Sequence, residues 1–238
     1  RALEAEVELL WLTSEVRQDR PTVKDEVSTV IWYLETRLVD AAAAARDALI
    51  HAYKETYGED AAASVRSAVP LRMGNWVGGD RDGNPFVTPE VTLATARRAS
   101  HAMLGHYEQK LTHLIERASL SASIAEPGRE LLASLEGDRV LLPDVFDMNR
   151  ARNVDEPLRL KLSYMKARVT RARSHTASRD AGRNDVDAAA YASAEEFARD
   201  LVLVRTELLR AGARMACETF VEPLLALVQA FGFHGFMM

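Results

Sequence analysis

One stripe of apolar residues constrains the fold of this chain more than any other feature of its sequence. Between residues 23 and 49 the apolar residues recur at steps of three and four, which is the spacing of one face of an α-helix. Thr22 precedes the stripe as a suitable N-cap, and Gly58 follows it as a suitable C-terminal stop. The pattern therefore predicts a helix from Val23 to about Tyr57. Its apolar face consists of Val23, Val27, Val30, Ile31, Leu34, Leu38, Ala41, Ala45 and Leu49.

Further segments with helical patterns make the sequence typical of a mostly α protein. One of them begins with Thr88 as a cap and Pro89 at the first helical position, where a missing N–H costs nothing. Residues 173–192 are polar, and we expect them to form a mobile surface loop or insertion. The predicted helices are Ala2–Val16, Pro89–Arg117, Glu130–Leu135, Glu156–Arg173, Ala194–Gly212 and Cys217–Ala230.

The long stretch from Val69 to Thr88 interrupts this helical pattern. Its first part, Val69–Val77, is apolar and is predicted to be a strand, and Gly232–Met238 is predicted to be a second one. The loop that follows the first strand, Gly78–Pro85, contains three glycines, two aspartates, an arginine and an asparagine. A loop so rich in glycine and charge, placed after a strand, is typical of a functional site.

Composition narrows the class of protein. A net charge of -5 gives no reason to expect nucleic acid as a partner. The single cysteine, Cys217, excludes an internal disulfide and fits a reducing compartment, and no apolar run is long enough to span a membrane. The sequence starts without methionine inside a helical pattern and stops in an apolar run. We therefore expect residues 1–238 to be a single partial domain, an internal piece of a longer protein.

Asp80, Arg81, Asp82 and Asn84 are the candidate site residues, and they have three interpretations. Arg81 could bind a phosphate or carboxylate, with the aspartates beside it near a metal. Alternatively, the two aspartates could clamp Arg81 and hold the loop in shape. A calcium loop fits poorly, because its sixth and twelfth positions would be Pro85 and Val91 instead of glycine and glutamate. The tryptophans Trp11, Trp32 and Trp76 are expected in the core.

The string from Gly74 to Thr88, Gly-Asn-Trp-Val-Gly-Gly-Asp-Arg-Asp-Gly-Asn-Pro-Phe-Val-Thr, resembles a signature segment of phosphoenolpyruvate carboxylases. Other segments resemble the same family, in the family's order: Leu12–Thr22 followed by Asp25-Glu26, then Asp155–Leu162, then Phe231-Gly-Phe. The resemblance is to the bacterial type and covers nearly the whole chain, as an internal piece from the N-terminal half of the longer protein.

The resemblance implies a parallel α/β barrel with many additional helices, in which the two predicted strands are neighbours and the loop lies at the barrel mouth. It implies a cytoplasmic homotetramer that joins phosphoenolpyruvate and bicarbonate to give oxaloacetate and phosphate, with Mg²⁺ or Mn²⁺. The family's catalytic histidine, phosphate-binding arginines and metal ligands are expected outside residues 1–238, so this piece alone is expected to be inactive. Arg17 matches an arginine of a sugar-phosphate activator site in some members.

Two alternatives remain open at this point. The chain could be a stand-alone helical binding or scaffold domain that kept the family's shape without its chemistry. It could also belong to a different metal-dependent enzyme that uses Asp80 and Asp82 as ligands.

Overall fold

The structure, a computed structural model, is mostly helical. It describes residues 1–13, 20–66, 68, 71–150, 153, 155–180 and 187–237, the last two residues of 155–180 by their backbone alone. Every helix in these ranges is too short or too polar to reach across a lipid bilayer. The helices are α1 (Ala2–Trp11), α2 (Val23–Tyr33), α3 (Val39–Tyr57), α4 (Glu59–Val65), α5 (Pro89–Arg117), α6 (Arg129–Leu141), α7 (Pro143–Asn149), α8 (Pro157–Asp180), α9 (Ala194–Arg210), α10 (Arg214–Ala216) and α11 (Glu222–Phe231).

The long helix predicted from the apolar stripe is confirmed, with one irregularity. Thr22 caps α2 through a capping box with Asp25, and Gly58 ends α3 with a φ of 89°. Between α2 and α3 the chain makes a π-helical turn, Leu34–Leu38, which the apolar spacing did not predict. A π turn adds a residue to one helical turn, so it rotates the apolar face of α3 relative to that of α2.

The core is built around the packing of α5 against α8. Thr88 caps α5 by accepting a hydrogen bond from the amide of Val91, and Pro89 is its first residue, as predicted. Tyr107 of α5 is fully buried, and its ring lies 5.6 Å from that of Phe197 on α9. Helices α9 and α11 pack into the same hydrophobic core. The two longest helices, α5 and α8, therefore form its centre.

A buried charge cluster joins α6, α8 and α9. The Lys161 ammonium on α8 is 1% exposed and donates to Asp138 of α6 at 2.8 Å, while Asp200 of α9 lies 2.9 Å away. Burial raises the pKa of Asp138, and the charge of Lys161 opposes that effect. A buried lysine is stable in its charged form only with such partners, so this cluster fixes the three helices relative to one another.

The two predicted strands are wrong as strands in the residues described. Residues 71–77 and 232–237 are extended or turn segments that meet at one isolated parallel bridge, Gly74 to Met237. In this bridge the Met237 amide donates to the Met73 carbonyl at 2.9 Å, and the Asn75 amide donates to the Met237 carbonyl at 2.8 Å. Parallel pairing between the two segments is therefore present, but one bridge is too short to make a sheet, and the barrel stays a prediction.

Other boundaries also differ from the predictions. The polar segment 173–192 is not a loop throughout, because α8 continues to Asp180. Residues 181–186 lie outside the described residues, and beyond them Ala189 and Tyr191 are buried. Mobility of this segment stays a prediction. Helices α4 and α7 were not predicted at all.

Candidate functional site

The loop Gly78–Pro85 leaves the parallel bridge through a tight turn. The carbonyl of Trp76 accepts hydrogen bonds from the amides of Gly79 and Asp80, both at 2.9 Å. Gly78, inside this turn, has a φ of 81°, which an L-residue rarely adopts. The sequence Val-Gly-Gly therefore lets the chain reverse its direction within three residues.

The base of the loop is buried at both ends. Gly78 is buried, and a Cβ atom at this position would lie 2.4 Å from Thr95 Oγ1 of α5 and 3.0 Å from Val27 Cγ2 of α2. At the other end Val87 is 6% exposed. Only a glycine allows the loop to approach α5 so closely, and the result is an exposed tip on a fixed base.

The candidate side chains lie together at this tip. Asp80, Arg81 and Asp82 are exposed, and Asn84 is half-buried. Asp80 Oδ1 accepts a hydrogen bond from the amide of Asp82 at 3.1 Å, and Asn84 Oδ1 accepts one from the amide of Phe86 at 3.0 Å. Such bonds from a side chain to the backbone two residues on stabilise turns.

Arg81 is not clamped by its neighbours. No ion pair between Arg81 and either aspartate occurs in the described part of the chain, and its guanidinium reaches only Thr92 Oγ1, at 3.5 Å. Farther along, the hydroxyl of Thr88 lowers the pKa of Glu90, and the charge of Arg81 adds a smaller effect. Asp80 therefore shapes the loop through the backbone, while Arg81 keeps its donors available to a ligand.

The loop does not fit a metal centre. Within the residues that the structure describes, no group of three or more His, Cys, Asp or Glu side chains could hold a metal ion. Asp80 Oδ1 and Asn84 Oδ1 each accept a hydrogen bond from a backbone amide of their own loop. We therefore assign no metal to these residues.

An open cleft of about 490 Å³ lies beside the turn, lined by Gly74, Asn75, Trp76, Gly79 and Asp80. Trp76 is 77% exposed at this cleft, so its expected place in the core is wrong. Trp11 and Trp32 are also exposed. The sequence contains an indication that Trp76 is exposed, because this residue lies in a segment without helical periodicity and shortly before two glycines.

Arg17, the candidate for effector binding, lies outside the described residues. The three histidines of α5 do not come together as a metal site. His101 Nδ1 lies 3.2 Å from Thr176 Oγ1, and its other ring nitrogen accepts a hydrogen bond from Arg173 at 3.2 Å. His106 is largely buried, and burial lowers its pKa to about 4, so its imidazole is neutral at pH 7.

Comparison with known proteins agrees with the motif in the loop. A family model described as phosphoenolpyruvate carboxylase matches residues 1–238. A protein named phosphoenolpyruvate carboxylase from Prochlorococcus marinus (strain MIT 9215) is 35% identical over 245 residues, which cover 97% of this chain and 24% of the relative. One of the same name from Parasynechococcus marenigrum (strain WH8102) is 34% identical over 249 residues, which cover 98% of this chain and 24% of the relative.

The chain thus spans about a quarter of the length of the curated relatives it matches. The family match extends from the first residue to the last and includes the whole Gly74–Thr88 segment. On these grounds, the chain belongs to the phosphoenolpyruvate carboxylase family.

Proposed function

We propose that this chain is one segment of an enzyme that carboxylates phosphoenolpyruvate with bicarbonate, giving oxaloacetate and phosphate. The observation that carries the proposal is the fixed loop with an exposed, unclamped arginine. Gly78 and Val87 are buried at the base of the loop, while Arg81 is exposed at its tip. This arrangement suits a group that must meet an anionic substrate without reorganising.

The chemistry of the substrate favours Arg81 as the contact. Phosphoenolpyruvate carries a phosphate and a carboxylate, and a guanidinium can bind either of them through two parallel hydrogen bonds. Asp80 contributes indirectly, because its bond to the amide of Asp82 fixes the backbone on either side of Arg81. We propose that Asp80, Arg81, Asp82 and Asn84 form one wall of the active centre at the mouth of a barrel. Arg81 is the residue that contacts substrate.

The remaining catalytic groups belong, in this proposal, to other parts of the longer protein. Transfer of a phosphoryl group to bicarbonate, and capture of the resulting CO₂ by the enolate, require several cationic groups and a base. In this proposal Mg²⁺ or Mn²⁺ is bound by ligands outside residues 1–238. The isolated chain should therefore be inactive. The complete protein would be a cytoplasmic homotetramer, with Arg17 contributing to an effector site.

A stand-alone scaffold domain is the weaker proposal, because of the surface that the chain exposes. Helix α1 has no buried residue, and Trp11 on it is 88% exposed. Apolar side chains in such a position favour a larger structure that covers them.

Steady-state kinetics on the complete polypeptide tests the proposal. Oxaloacetate is followed by coupling its reduction to NADH oxidation. The exposed Arg150, which lies 3.9 Å from Asp147 on α7, provides the matched control. We expect Arg81→Gln to lower kcat/KM about 10-fold to 100-fold, since a hydrogen bond to a charged group contributes about 1.5–3 kcal/mol. Arg150→Gln should have no effect. Absence of oxaloacetate formation by the complete wild-type protein would refute the proposed function.

A further inference from the structure

Helix α1 presents an apolar face that nothing in the described part of the chain covers. Leu3, Val7, Leu10 and Trp11 follow one another at helical steps of four, three and one, which places all four on one side. Their exposed fractions are 76%, 55%, 65% and 88%. An open groove of about 630 Å³ runs along this side and is lined by Leu3, Glu4, Val7, Glu8, Trp11 and Leu12.

The other sides of α1 are apolar as well. Leu9 lies away from the groove and is 67% exposed, and Leu12, which lines the end of the groove, is 77% exposed. A helix with apolar residues on most of its circumference is typical of the interior of a large protein. Such a helix requires an occupant that buries it.

The charged residues beside the apolar face indicate which charge its occupant carries. Glu4 and Glu8 lie along one edge of the face and Glu6 along the other, and Arg1 is the one cation of this segment. A partner that buries the face must bring positive charge to both edges, because carboxylates beside an apolar contact favour complementary cations.

Two other occupants fit less well. A second copy of α1 would bring three glutamates against three glutamates, and like charges at close range oppose association. A lipid surface is also disfavoured, because anionic headgroups repel an acidic helix and ten residues extend only about 15 Å.

The greater length of the relatives indicates which part of the polypeptide could provide the occupant. The chain matches 24% of each relative, so about three quarters of their length lies outside the matched region. We propose that α1 docks, within one polypeptide, against a helix from outside residues 1–238 that carries an apolar stripe edged by Lys and Arg. The proposal rests on the proposed function only in assuming a longer polypeptide, and it needs no catalytic activity.

Zero-length cross-linking on the complete polypeptide tests this docking. A carbodiimide joins a carboxylate to a lysine amine in direct contact, so mass spectrometry of the digest identifies the partner of Glu4, Glu6 and Glu8. We expect links to lysines of one segment outside residues 1–238, in a product that migrates as a single chain on a denaturing gel. Links within residues 1–238, or products of dimer mass that carry the α1 links, would overturn the proposal.

Amide hydrogen exchange gives a second readout on the same protein. Val7→Lys places a charge in the centre of the groove face and should raise the exchange rate of residues 2–12 at least 10-fold. Glu4→Lys combined with Glu8→Lys should raise it and also abolish the cross-links from that edge. Ala5→Lys lies on the opposite side of the helix and is the matched control. Fast exchange of residues 2–12 in the wild-type protein, or equal effects of Val7→Lys and Ala5→Lys, would contradict the docking. Neither result depends on whether oxaloacetate is formed.

Discussion

Replacing Gly78 with alanine tests whether the base of the loop is as tightly fixed as the structure indicates. The φ of 81° costs an L-residue about 1–2 kcal/mol. The new Cβ atom would lie 2.4 Å from Thr95 Oγ1 and 3.0 Å from Val27 Cγ2. Thr95 is 2% exposed, and its hydroxyl donates to the Val91 carbonyl at 2.8 Å, so it cannot move aside freely. Overpacking of this kind adds about 1–3 kcal/mol.

We therefore expect Gly78→Ala to lower the free energy of unfolding by about 2–5 kcal/mol, measured by urea denaturation of the chain. Gly83→Ala is the matched control, since Gly83 has a φ of 68° but no atom within 4 Å of a new Cβ. Gly83→Ala should lower the free energy of unfolding only by the cost of the positive φ, about 1–2 kcal/mol. Adding Thr95→Ala to Gly78→Ala should recover part of the loss. Equal destabilisation by the two glycine variants, with no recovery in the double variant, would refute the tight packing of the loop base.

Three further predictions concern the core. Tyr107→Phe removes the hydrogen bonds from the Tyr107 hydroxyl to the carbonyls of Gly232, at 2.7 Å, and Leu227, at 3.3 Å. It should destabilise the chain by about 1–3 kcal/mol and speed amide exchange at Met237. Unchanged exchange at Met237 would contradict a link between Tyr107 and the parallel bridge. Lys161→Met removes the cation from the buried carboxylate of Asp138 and one of two cations from the half-buried Asp200. It should lower the free energy of unfolding by about 3–5 kcal/mol at pH 7, a loss that a surface lysine variant would not share. The pKa of His106 is about 4 in the folded state, so as the pH falls this imidazole is protonated first in the unfolded chain. The free energy of unfolding should therefore drop between about pH 6.5 and pH 4, by at most about 3 kcal/mol. His106→Gln should make this pH dependence weaker.

The helices could be predicted wherever a long apolar period and a cap occurred together. The stripe after Thr22 and the Thr88-Pro89 start of α5 are examples, because capping and periodicity are local properties of the sequence. Helix α7 was missed, since seven residues contain too few helical turns to show a period. The π turn at Leu34–Leu38 was also missed, because it changes the spacing without changing the residue types.

The strands show where local reasoning fails. Two apolar segments, Val69–Val77 and Gly232–Met238, suggested strands, and the structure does bring them together, at Gly74 and Met237. A strand, however, is stabilised by neighbours distant in the sequence, and the described residues provide one bridge between these two segments.

At the site, the loop and its exposed charges could be predicted from glycine content and polarity. The hydrogen-bond partners of these side chains could not be predicted, because a carboxylate that binds a backbone amide two residues away has the same sequence pattern as one that binds a metal. Trp76 was assigned to the core from its residue type alone. Its exposure follows from the turn at Gly78, which depends on contacts with two distant helices.

The most direct test of the central claim is the amide hydrogen exchange of the Gly78–Pro85 loop in the complete polypeptide, with and without saturating phosphoenolpyruvate and Mg²⁺. Our account predicts that the ligands slow exchange at the amides of residues 79–84 by 10-fold or more, and that Arg81→Gln removes this protection. Catalysis of oxaloacetate formation by a protein whose loop amides exchange equally fast with and without the ligands would contradict it.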